Sequence, residues 1–113
     1  MDNLVHKFIL FIKFDLRLSM NTVSAYENDL KNYIHFLAET KNIKDINQVK
    51  FEDIRKYVAF ITKEGYKPSS VNRSISSIKK FHIFLLDNEL VDENPSELLE
   101  SQKNRRNFPD TLS

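Results

Sequence analysis

Apolar residues return every three to four positions along most of the chain, the repeat of amphipathic helices, and the pattern predicts five of them. The first spans about Asn3 to Leu16, with Asp2 as its cap and Leu4, Phe8, Phe11, Ile12 and Leu16 as its stripe. Val5, Ile9 and Leu10 widen that stripe, so this helix has more than one apolar partner. The second spans about Thr22 to Thr40, capped by Ser19 or Asn21, with Val23, Tyr26, Leu30, Tyr33, Ile34 and Leu37 turned inward. Its other face carries Thr22, Ser24, Asn28, Lys31, Asn32 and His35.

A loop from Lys41 to Lys50 holds a short turn at Ile46–Val49. The third helix, about Phe51 to Glu64, turns in Ile54, Tyr57, Val58 and Ile61 and ends at Gly65, which tolerates a left-handed backbone. The fourth, about Ser69 to Asp87, starts beside Pro68, whose missing N–H costs nothing there. Its stripe is Val71, Ile75, Ile78, His82 and Leu85, flanked by Phe81 and Phe84. Asn94-Pro95 breaks the chain, Ser96 to Ser101 reads as a short fifth helix, and Gln102 to Ser113 has no period. The fold class is all-α: a small bundle of four to five helices in one domain, joined by short loops.

Composition removes several chemistries. With no cysteine, disulfides, thiolate metal sites and cysteine nucleophiles are excluded. A single glycine leaves no glycine-rich phosphate loop. His6, His35 and His82 are far apart in sequence and lack ligand spacing. His82 falls on an apolar stripe and reads as a satisfied core histidine, and His35 as a surface residue. No nucleophile, base and oxyanion donor assemble, so neither an enzyme within these residues nor any cofactor or metal is expected. Phe8–Ile12 is too short an apolar run for a membrane span or a secretory signal, and the expected compartment is the cytoplasm.

The formal net charge of +1 hides a segregation. Tyr66–Leu86 carries +4, Asp87–Glu100 carries −6, and Ser101–Ser113 carries +2. In the fourth helix Ser69, Asn72, Arg73, Ser76 and Lys80 share one face, opposite Val71, Ile75 and Ile78. Such a face is either a solvated surface or a nucleic-acid contact, since Arg and Lys pair with phosphates and Asn and Arg read base edges. The hydroxyls and amides opening the second helix serve as caps or as a phosphate cradle.

Two stretches resemble a known family. Ser19-Met20-Asn21-Thr22 with Tyr26, Asp29-Leu30 and Phe36-Leu37 resembles the pattern S-x-N-T-x-x-x-Y-x-x-D-L…F-L. Ser69 to Leu85 resembles S-x-x-x-R-x-L-S-A-L-R-x-F-F-x-F-L, and Asn94-Pro95, Leu98-Leu99 and Phe108 to Ser113 are similar to the linker that follows. Together they resemble the N-terminal core-binding, SAM-like domain of Xer-type tyrosine recombinases and phage integrases. The resemblance implies a half-clamp on double-stranded DNA at residues 1–101 and a linker at 102–113 toward a catalytic domain beyond Ser113. It implies that the second and fourth helices face the major groove through Asn21, Thr22, Ser69, Ser70, Asn72, Arg73, Ser76 and Lys80. It further implies a tetramer on DNA with protomer contacts through the first helix, the isolated domain staying monomeric, and no arm-binding domain ahead of that helix. Lys79 and Lys80 stand where the family often has arginine, and Gln102-Lys103 where it has Pro-Lys. The competing reading is a helical protein-interaction module that leaves DNA alone, motivated by the apolar first helix and the acidic segment.

Overall fold

The computed structural model describes residues 1–100. Its helices are α1 (Asp2–Leu10), α2 (Met20–Glu39), α3 (Phe51–Lys63) and α4 (Pro68–Asp87), with a π-helical segment at Phe11–Asp15 and a 3-10 turn at Ile46–Gln48. No strand occurs among the described residues.

The helix ends follow local chemistry. Ser19 caps α2: its Oγ accepts the Thr22 N–H at 3.2 Å and its hydroxyl donates to Thr22 Oγ1 at 3.0 Å. At the start of α3, the Lys50 N–H donates to the Asp53 carboxylate at 2.9 Å. Gly65, at φ +97°, closes α3. Its N–H bonds the Thr62 carbonyl and the Tyr66 N–H bonds the Ile61 carbonyl, which satisfies two orphaned acceptors of the last turn. Pro68 occupies the first turn of α4, as expected.

Three details differ from the sequence expectation. The cap of α1 is Met1, and Asp2 lies inside the first turn, where its charge still suits the helix dipole. The first helix also ceases to be α-helical at Leu10. The Leu16 N–H reaches back five residues to the Phe11 carbonyl at 3.1 Å, and Arg17 then turns the chain at φ +54°. The wider turn leaves Leu16 49% and Phe14 61% exposed, so Leu16 sits on the lip of the stripe rather than beneath it. Finally, the expected fifth helix is replaced by a turn at residues 95–98, and Leu99 and Glu100 have no regular structure. Asn94 Oδ1 takes both the Ser96 N–H, at 2.9 Å, and the Ser96 hydroxyl, at 2.6 Å, and this local competitor holds the backbone in a turn. Ser101 and the 102–113 linker lie outside the described residues.

The core forms where α2 and α4 pack together, with α1 and α3 against them. Phe8 meets Phe81 and Phe84 edge-on at 5.7 and 5.5 Å between ring centres. Tyr33, Phe36 and Tyr57 form a second aromatic group, with Tyr57 5.4 Å from Tyr33 and 5.2 Å from Phe36. Leu30, Leu37, Ile54, Ile61, Ile75, Ile78 and Leu85 fill the space between. Each such side chain contributes roughly 1.5–3 kcal/mol through removal from water. His82 is a core residue, satisfied at one nitrogen: Nε2 pairs with the Tyr33 hydroxyl at 2.8 Å, while Nδ1 is buried without a partner. Burial lowers its pKa to about 4, so the ring is neutral in the folded chain.

Candidate nucleic-acid interface

The residues singled out on α2 occupy its first turns. Asn21, Ser24 and Asn28 are exposed, and Thr22 is half-buried and engaged by Ser19. On α4, Ser69, Arg73 and Lys80 are exposed and Ser70, Asn72 and Ser76 are half-buried. The polar face of α4 therefore exists. It is narrower than its composition suggests, because Ser74 and Ser77 turn inward and the Ser77 hydroxyl bonds the Ser74 carbonyl at 2.9 Å.

The bases of α4 have different assignments. Lys79 Nζ donates to the Leu99 carbonyl at 2.6 Å, so this lysine fastens the segment after α4. Arg73 makes a two-bonded fork with Asp29 of α2: Nε to Oδ2 at 2.9 Å and Nη2 to Oδ1 at 3.0 Å. The side chain of Asp29 is 2% exposed and that of Arg73 is 44% exposed. The hydrogen bond to Asp29 holds the guanidinium pKa above its ordinary value. Lys67 and Lys80 stay exposed at the two ends of this face.

The structure thus joins one predicted residue, Arg73, directly to α2, through a partner that sequence reading gave no role. Asp29 stands inside the quoted Y-x-x-D-L pattern, and that was the available signal; a carboxylate next to an apolar stripe otherwise reads as solvated. The acidic residues from Asp87 to Glu100 are all exposed. Among the described residues no group of His, Asp or Glu side chains can hold a metal ion, and no helix is long and apolar enough to cross a membrane.

Known proteins match this sequence. The family model for the phage integrase N-terminal SAM-like domain covers residues 5–89. The chain is 32% identical over 113 residues to tyrosine recombinase XerD of Listeria monocytogenes, covering all of this chain and 38% of that protein. It is 34% identical over 112 residues to XerD of Staphylococcus saprophyticus, covering 99% of this chain and 38% of the relative. It is 33% identical over 106 residues to tyrosine recombinase XerC of Listeria welshimeri, covering 94% and 35%. The chain spans less than two-fifths of the length of these curated relatives. No solved structure matches it.

Proposed function

Since the chain belongs to the phage integrase N-terminal SAM-like domain family, we propose that it is the DNA-binding domain of a site-specific tyrosine recombinase. In this reading α2 and α4 lie against the major groove of the core recombination site and form half of a clamp. Asn21 and Thr22 meet the duplex from α2, and Ser69, Ser70, Asn72, Arg73, Ser76 and Lys80 meet it from α4. The observation that carries the reading is the solvent-facing polar surface of α4, with Arg73 pinned to α2 at its centre. Small hydroxyl side chains let such a helix approach a groove closely, and its cations attract phosphates.

The strand-exchange chemistry belongs to a further domain, joined through residues 102–113. The whole recombinase works in the cytoplasm as a tetramer on DNA, with α1 touching a neighbouring protomer, and the isolated domain is monomeric. One observation favours the competing interaction-module reading. Leu16 and Ile83 leave an apolar flank open beside the polar face, with Phe8, Phe11 and Phe84 in its floor. The clamp reading absorbs that flank as the protomer contact.

An amide-shift titration with a short duplex at low and moderate salt tests the proposal. Half a clamp should bind at roughly the non-specific level, Kd about 10⁻⁴–10⁻⁶ M. The expected result is shifts clustered at Asn21–Asn28 and Ser69–Lys80 that fade as salt rises. No shifts, or shifts confined to Phe8–Ile12, would overturn the DNA reading in favour of the interaction module.

A further inference from the structure

Resting on the DNA-binding reading above, we infer that Asp29 is a positioning residue that locks Arg73 to read a guanine in the major groove. A guanidinium carries five N–H donors in a rigid plane. The Asp29 carboxylate takes one hydrogen of Nε and one of Nη2, which is the side edge of the plane. Three N–H remain: one on Nη2 and one on Nη1 point the same way and make up the outer edge, while the second on Nη1 points back beside Cδ. They meet no other protein acceptor among the described residues. Like the side edge, the outer edge can pair with two acceptors at once, and guanine offers two, O6 and N7, in the major groove.

The burial gradient sets the direction. Asp29 is sealed in the bundle and Arg73 is nearly half exposed, so the carboxylate forms a fixed wall behind the guanidinium. A long side chain loses much rotamer freedom on ordering, and here the protein imposes that loss before DNA arrives. The paired carboxylate also cancels the charge of Arg73. The residue therefore adds little to general attraction for phosphate and contributes selectivity instead. A lysine could not take this role, having no planar fork to divide between two partners.

The test is selection of the 113-residue chain on a randomised 20-base-pair duplex library at low salt, followed by titration of the enriched duplex. The expected outcome is one position fixed as guanine. Replacing that base by 7-deazaguanine, which lacks the N7 acceptor, should weaken wild-type binding on the order of tenfold. Asp29→Asn should erase the guanine preference by a similar factor while binding to the unselected library tightens with the added net positive charge. Arg73→Lys should erase it as well. Melting curves recorded alongside guard against unfolding, since a merely structural Asp29 would lower affinity for every sequence alike. A measurement without variants follows the Nε–Hε resonance of Arg73: it should keep its position in the complex while the Nη resonances move. Library binding without base enrichment, an unchanged guanine preference in Asp29→Asn, or an Nε–Hε signal that leaves its position on binding would each overturn the inference and leave DNA binding intact. Failure of the wild-type chain to retain any duplex would overturn both.

Discussion

Asp29–Arg73 and Tyr33–His82 both tie α2 to α4, and they differ in how they meet water. The first is charged, forked, and open to solvent along one edge. The second is neutral and fully enclosed, and it leaves the Nδ1 of His82 with no partner. A neutral buried tie fixes how two helices pack, and its removal is felt by the whole fold. A charged tie at the rim holds its arginine in place and leaves the outer edge of that arginine facing solvent, where a ligand can meet it. The difference separates a bond kept for structure from one kept for contact.

The largest expected effect falls on the enclosed tie. His82→Ala empties a fully buried site and orphans the Tyr33 hydroxyl, so it should cost about 3–5 kcal/mol in denaturant unfolding. If the loss were no greater than that of Arg73→Ala, the contrast between the two ties would fail. The pH dependence comes next. The folded pKa of His82 is about 4 against 6.5 in the unfolded chain, so between those values only the unfolded chain takes up the proton. Stability is therefore full above pH 6.5, falls by roughly 3 kcal/mol as pH drops toward 4, and levels off below, as far as His82 is concerned. The double variant Tyr33→Phe with His82→Leu removes donor and acceptor together. It should flatten this slope and cost much less at pH 7 than His82→Ala.

Arg73→Met should have a smaller effect on stability, about 1–3 kcal/mol, because it leaves the sealed Asp29 carboxylate without its partner but opens no cavity in the core. Its effect on duplex binding should be the larger of its two consequences, measured by fluorescence anisotropy. The smallest change is expected from Lys80→Ala. Stability should stay within about 0.5 kcal/mol, while the slope of log affinity against log salt falls by about one unit. A stability loss at Lys80 matching that at Arg73 would mean that the exposed face is structural.

Much of this was legible in the chain. The stripes of α2 and α4 could be read because isoleucine, leucine and tyrosine recur at helical spacing, and Pro68 and Gly65 mark boundaries that only those residues satisfy cheaply. Asp29 was not legible as a buried group, since its burial depends on an arginine forty-four positions away. The π-helical segment was hidden for a similar reason. Phe11–Asp15 has the composition of an ordinary helix, and the contacts of Phe11 with Phe8 and Phe84 belong to the folded bundle. The supposed fifth helix failed because one side-chain oxygen, on Asn94, outcompeted the helical bond. The basic count of α4 was right in number and misleading in use: Lys79 belongs to the fold.

That lysine also governs reach. By holding the carbonyl of Leu99, it moves the point where the chain can leave the domain from Asn88, the end of α4, to a position eleven residues later. Buried Val91, Ser96 and Leu99 reinforce the anchorage. For anything carried downstream this acts as a shortened leash. The effective concentration of a tethered unit falls roughly as the −3/2 power of leash length once the leash is long enough to span its target. Each residue pinned to the bundle therefore raises the local density of whatever follows, and Lys79→Ala would lengthen the leash without changing its sequence.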